Sequence, residues 1–414
     1  MNKIWIWNGA ALATIIALAL AWSEVSGREE RSRVAPYRFP LTTAVETDAD
    51  LDVLRERVAR APEGLDLAAL AGACLRKARR TGQSRWIDEA ESAAHRSLDA
   101  LSVSNPGATL ALAHAAQMKH EFGRSIELCD QVLRERPRDA RALSLKATAL
   151  WGIGRLDGAL LCADALIDRA PISESLALRA GILAARGDER EALHDFRKAA
   201  AMEEPGDAEG SAWLRALWAR MEMRRGRDDA AEDLLREAIR IRPFHPLSLG
   251  LLGDLERERG RLDAAEAAYA SAHRVSGDPV YLARRARVRR SRGDAAGAEE
   301  FRSAAEKALR ESPGHRIALA QVLLDAETAD AAREALAIAE SEALLRRNTE
   351  TLETLARARL AAGRLQEARV AVREALRSGA PDARLHELAA EMESRLGCAS
   401  RARMHLEAAK EIHP

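Results

Sequence analysis

The sequence predicts an all-α protein: a right-handed α-solenoid of about ten helix-turn-helix repeats following one N-terminal hydrophobic helix. Three observations lead there. Aromatic residues make up only 4% of the 414-residue chain, while Ala, Leu, Arg and Glu dominate, a composition that favours helix. Glycine-containing turns recur along the chain, each followed five residues later by an alanine. Further small residues sit at fixed offsets on either side, all in one phase.

Residues 4–22, IWIWNGAALATIIALALAW, carry no charge. Their length suits a membrane span, and Trp5, Trp7 and Trp22 stand where interfacial aromatics would. The compact apolar core ending in Ala19-Leu20-Ala21 also fits a cleavable signal segment. Residues 1–22 are thus a membrane anchor or a signal segment. The first reading leaves the repeat domain membrane-anchored and extracytoplasmic; the second releases it as a secreted or periplasmic protein. Residues 23–46, with Pro36, Pro40 and mixed charge, read as a linker.

Residues 47–414 read as the solenoid, with a capping helix near 48–60, weak repeats over 65–137 and clear repeats over 138–414. The turns GRLDGAL at Gly154, GDEREAL at Gly187, GRDDAAE at Gly226, GRLDAAE at Gly260, GDAAGAE at Gly293 and GRLQEAR at Gly363 set the phase. Small residues pair twelve positions apart: Ala147/Ala159, Ala180/Ala192, Ala219/Ala231, Gly253/Ala265, Ala286/Ala298, Ala320/Ala332, Ala356/Ala368 and Ala390/Ala402. The unit recurs every 33, 39, 34, 33, 34, 36 and 34 residues, the long interval holding the insertion MEEPGDAEG. Physically this is a helical hairpin. Glycine ends the first helix in a left-handed conformation, and small residues let the second helix cross it closely. One hairpin cannot bury its apolar face; a stack can.

The spacing resembles the tetratricopeptide repeat, carried by Leu249, Leu252-Gly253, Ala265, Tyr269 and Pro279, and again by Leu143, Ala147, Leu150, Ala159 and Pro171. Glu256 and Arg359 stand where the family has an aromatic residue. The resemblance implies a protein-binding solenoid with its first helices lining the concave face. The whole chain also resembles bacterial tetratricopeptide proteins with one N-terminal hydrophobic segment, which implies envelope association.

No catalytic, cofactor or metal site is expected. The four cysteines, Cys74, Cys129, Cys162 and Cys398, form no C-x-x-C pair; Cys129 and Cys162 read either as a pair or as buried small residues. His120-Glu121 begins a zinc motif that Arg124 breaks. No phosphate-binding loop and no nucleophile elbow occurs, so the chain is not expected to be an enzyme. With 64 basic and 64 acidic residues, the balance gives no bulk reason to expect nucleic acid.

By phase, the concave face would present Trp151, Trp213, Arg220, Arg224, Asp254, Arg257, Arg287 and Arg290 to a protein or peptide partner. Arginines such as those of YLARRARVRRSR, residues 281–292, could hold an acidic peptide or a terminal carboxylate, or could pair with acids such as Glu256, Glu258, Glu299 and Glu300. The expected function is a non-catalytic, membrane-tethered interaction scaffold. The alternative is an envelope assembly factor that stacks through its repeat ends. The pattern specifies no oligomeric state.

Overall fold

A computed structural model describes residues 36–41 and 49–413. The chain divides at Pro36/Tyr37 into two units. The hydrophobic segment at 4–22 and most of the 23–46 linker lie outside the described residues. No described helix is long and apolar enough to cross a membrane.

From Tyr37 onward the described elements are all helical. Helix α1 (Ala49–Arg60) packs its Leu51 and Val58 inward and precedes ten hairpins. These are α2 (Gly64–Thr81) with α3 (Arg85–Ala100), α4 (Pro106–Met118) with α5 (Phe122–Glu135), and α6 (Ala140–Gly152) with α7 (Leu156–Arg169). Then come α8 (Ser173–Arg186) with α9 (Glu189–Ala201), α10 (Ala208–Arg224) with α11 (Asp228–Ile241), and α12 (Pro246–Glu258) with α13 (Leu262–Ser276). The last four are α14 (Val280–Ser291) with α15 (Ala295–Arg310), α16 (Arg316–Leu324) with α17 (Ala329–Leu345), α18 (Thr349–Ala361) with α19 (Leu365–Leu376), and α20 (Ala383–Arg395) with α21 (Ala399–Ile412). The fold is an α-solenoid.

Local chemistry starts and stops these helices. Asn105, Asp139, Asp207, Asn348 and Asp382 each accept a hydrogen bond from a backbone N–H of the first turn, satisfying a donor the helix cannot. Within hairpins the turn is closed by a residue at positive φ. It is glycine in eight hairpins, His120 (φ 59) in the second and Glu327 (φ 55) in the eighth.

The alanine lattice forms the crossings. Ala147, Ala159, Ala180, Ala192, Ala219, Ala231, Ala265, Ala320, Ala356 and Ala368 are all 0% exposed. At Gly253 even a methyl group would collide with the Tyr269 ring, so that crossing needs glycine. Ala332 departs from the pattern: it is half-buried, and Ala335, one turn further on, takes the fully buried place.

The hairpins wind back on themselves. Asn348 Nδ2 donates to the Gly152 carbonyl at 2.6 Å, 196 residues away, and His413 Nε2 lies 3.2 Å from the Met223 carbonyl, 190 residues away. The Arg347 amide donates to the Ile153 carbonyl at 3.0 Å. With a unit of about 34 residues, one superhelical turn takes about six hairpins. Successive turns therefore touch along a seam. Its two sides are the turns inside hairpins (the upper edge of the first turn) and the loops between hairpins (the lower edge of the second).

Glycine makes the seam close. Gly82 meets the Ser276 main chain, Gly154 that of Arg347, Gly187 that of Gly379 and Gly226 that of Ile412. In the hairpin where His120 replaces glycine, the glycine stands on the other side: Gly314 lies against the Lys119 carbonyl. There the His120 and His315 rings face each other, centroids 4.8 Å apart.

The last hairpin shows how the fold responds to pH. His386 Nδ1 and His405 Nδ1 lie 3.1 Å apart, an arrangement that requires at least one neutral ring. Burial lowers both pKa values, with His386 adding to the effect on His405. Burial, then Arg79 and Arg141, lowers His114 to about 4. Bases depressed in the folded state contribute stability that is present above their unfolded value, about 6.5, and lost as pH falls through the folded one. The urea midpoint is expected to drop between about pH 7 and pH 4.5, and less steeply in His386→Gln/His405→Gln. A flat midpoint would contradict this linkage.

Candidate partner-binding surface

The first helix of each hairpin supplies the inner face, and α10 is central to it. Every residue from Ala208 to Arg224 is buried or half-buried, so α10 has protein on nearly all sides. Trp218 stacks on Phe196 at 5.8 Å and donates Nε1–H to Glu222 at 3.0 Å, fixing the helix rotation. That rotation aims Arg220 and Arg224, one turn apart, at the interior.

Trp151 at the end of α6 joins them. Its ring passes over Gly181 of α8, where a Cβ would lie 2.6 Å from the indole, and reaches Arg220, whose guanidinium is 5.2 Å from the ring centroid. Neither Arg220 nor Arg224 makes an ion pair among the described residues. Burial, then Arg224, pushes Arg220 down to about 10; burial also lowers Arg224. Both directions describe cations short of anionic partners.

Most other interior charges are matched. Arg284 lies between the Tyr269 and Tyr281 rings (5.8 and 5.5 Å) and bonds Asp254 at 2.7 Å. Asp254 also accepts from the Tyr269 hydroxyl at 2.7 Å. Arg384 of α20 meets Glu258 of α12 at 3.6 Å while staying 61% exposed, so water reaches this part of the interior. Glu353 of α18 and Glu258 are both pushed up by burial, with Arg384 opposing.

Of the residues selected by phase, Trp151, Arg220 and Arg224 come together, and half-buried Trp213 shares α10 with the two arginines. The others have structural partners. Asp254 holds Arg284 and Tyr269, and Arg257 lies 3.4 Å from Glu258. Arg287 bonds Asp325 at 2.7 Å; Arg290 bonds the Asp325 carbonyl at 2.5 Å and Glu327 at 3.3 Å. Together they brace the turn where Glu327 takes a left-handed conformation. All six arginines of residues 281–292 have acids within reach: Asp254, Glu266, Asp325, Asp294, Glu327 and Asp263. Glu256, Glu299 and Glu300, the acids expected from proximity in sequence, are not these partners.

The acids facing Arg220 and Arg224 were not legible in sequence. Glu350 acts on Arg220, and Asp382 and Glu353 act on Arg224, all from hairpins in the next superhelical turn. Arg284 carries the clearest local signal, since it alone of the six arginines lies between two tyrosine rings. All four cysteines are free, and burial raises Cys129 to about 12, an inert thiol in the core. Among the described residues no group of His, Cys, Asp or Glu is arranged to hold a metal ion.

The stacked hairpins with a small-residue crossing define a helical-repeat protein. The sequence pattern of the tetratricopeptide repeat matches residues 110–174 and 216–279. The chain thus carries tetratricopeptide repeats over those two stretches. None of the curated proteins matches it. Among solved structures it is similar to the human IFIT1 dimer with PPP-AAAA, at 17% identity over 89% of this chain and 95% of that one, TM-score 0.48. It is also similar to a tetratricopeptide repeat protein from Parabacteroides merdae (16%, 59% and 92%, TM-score 0.43) and to the APC/C hetero-tetramer Cut9–Hcn1 (13%, 88% and 90%, TM-score 0.43).

Proposed function

We propose that this chain is a non-catalytic scaffold that grips an acidic segment of a protein partner on its inner face, with residues 4–22 tethering it to a membrane. One observation carries the reading. Among the described residues Arg220 and Arg224 have no ion-pair partner, while Arg284, Arg287 and Arg384 do, and Trp151 offers an adjacent flat ring. Two guanidinium groups one helical turn apart suit a carboxylate pair or a chain-terminal carboxylate, each hydrogen bond being charge-assisted. A peptide side chain stacking on Trp151 would share that face with Arg220.

A photo-reactive amino acid at position 213 tests the reading in cells. Cross-links to a partner are expected with the wild-type surface and are lost in Arg220→Glu/Arg224→Glu. They persist in Arg274→Glu, an exposed outer-surface change. Excess acidic peptide competes for the same cross-link. Equal cross-linking in all variants would remove the inner-face patch from the function. Reporters fused after residue 45 test the tether: an extracytoplasmic signal that stays with the membrane supports it, and a cytoplasmic signal contradicts it.

A further inference from the structure

We infer that the inner face carries a second anion-receiving cluster, formed by Arg79 of α2, His114 of α4 and Arg141 of α6, which takes another carboxylate of the same acidic segment. This rests on the reading given above for Arg220 and Arg224 and extends it from one contact to two. The repeat places the cluster. Ala113, 0% exposed, holds in the second hairpin the position that Ala219 holds in the fifth, each on the helix that ends at the turn closed by His120 and by Gly226. His114 therefore stands where Arg220 stands. Arg79, just before Gly82, likewise holds the place of Trp151, just before Gly154. Trp151 reaches forward to Arg220, and Arg79 reaches forward to His114, Nη2 lying 3.2 Å from Nε2.

A guanidinium has no acceptor, so His114 Nε2 accepts this bond and carries no proton. Arg141 brings a second cation from the other side, α2 and α6 both packing on α4. No carboxylate among the described residues acts on His114, and neither Arg79 nor Arg141 makes an ion pair among them. Both arginines are exposed and His114 is half-buried, so an incoming group can reach all three. Two guanidinium groups and an imidazole gathered without an acid lack one partner, an anion.

A carboxylate entering here draws the Arg79 N–H groups to itself and offers Nε2 an acceptor once that nitrogen is protonated. Burial, then Arg79 and Arg141, hold the imidazole at about 4. A carboxylate beside it raises that value, so binding takes up a proton from water and tightens as pH falls. The second and fifth hairpins lie half a superhelical turn apart, and the two clusters face one interior from opposite walls. Successive side chains of an extended segment point to opposite sides, so a run of acidic residues reaches both walls at once.

Fluorescence anisotropy of fluorescein-labelled octaglutamate on the full chain in mild detergent is the test, with octaglutamine as control. Wild-type binding is expected to be at least about threefold tighter at about pH 6 than at about pH 8. Arg79→Gln/Arg141→Gln weakens it about tenfold, as the loss of a charge-assisted contact does. His114→Gln brings the ratio of the two affinities to about one. Calorimetry in two buffers of different ionisation enthalpy needs no variant: the wild type takes up a fraction of a proton per peptide at the lower pH. No proton uptake, or a pH step that persists in His114→Gln and so belongs to Glu353 or Glu258, would overturn the cluster. Binding weakened by Arg220→Gln/Arg224→Gln but indifferent to Arg79→Gln/Arg141→Gln overturns it and leaves the scaffold reading standing. The reverse result removes the α10 contact and keeps this one, and no octaglutamate binding at all removes both.

Discussion

Arg215→Leu is expected to destabilise the solenoid by about 3–5 kcal/mol, and Glu203→Leu by a similar amount. The two side chains form an ion pair with only 1% of each exposed. Arg215 Nη2 donates to Glu203 Oε2 at 3.1 Å, Nη1 reaches Oε1, and Nη1 also donates to the Ser211 carbonyl at 3.0 Å. Removing either partner leaves a charge in the core without its counter-charge, which costs more than the pair contributes in place. Replacing both by leucine removes that penalty, so the double variant should be more stable than either single one. Urea unfolding followed by circular dichroism reads all three. If the double variant lost as much as the two singles added together, the pair would not be coupled and the explanation would fail. The pair has a structural use: Glu203 lies in the Pro/Gly-rich insertion, and Arg215 holds that insertion against α10.

Gly154→Ala should cost more than Gly363→Ala, although both glycines close a hairpin with nearly the same backbone (φ 84 and 76°). At Gly363 a methyl group meets open space, so the penalty is the left-handed conformation alone, about 1–2 kcal/mol. At Gly154 it would also lie 2.7 Å from the Arg347 carbonyl group and 2.8 Å from the Asn348 nitrogen. The turns must then part, and the bonds from Arg347 to Ile153 and from Asn348 to Gly152 go with them. Thermal melts rank the two variants. Hydrogen exchange at the Arg347 amide locates the effect, protection falling in Gly154→Ala and holding in Gly363→Ala. Equal melts with equal protection would mean that the seam contributes nothing.

These expectations show where legibility in the sequence ends. Each hairpin is a short-range object. Gly187, Ala180 and Ala192 lie within one unit, and a turn glycine with two small residues at the crossing suffices to build it. The ten units, the cap at α1 and the insertion before α10 could therefore be read from spacing. The inner-face choices mixed two outcomes. Phase put Arg220 and Arg224 in one set with Arg287 and Arg290 and could not tell them apart, whereas in the structure Asp325 and Glu327, one hairpin further on, bond Arg287 and Arg290.

What the sequence alone determined is the hairpin and its repetition, because capping, left-handed turns and small-residue crossings act between residues a few helical turns apart. What only the tertiary structure decided is the pitch. A small rotation at each hairpin-to-hairpin interface accumulates over a full turn, and its sum brings Gly152 to Asn348 and sets Arg224 near Asp382 and Glu353. No local pattern encodes that sum, so the seam and the two arginines that make no ion pair among the described residues emerge only when the units are stacked.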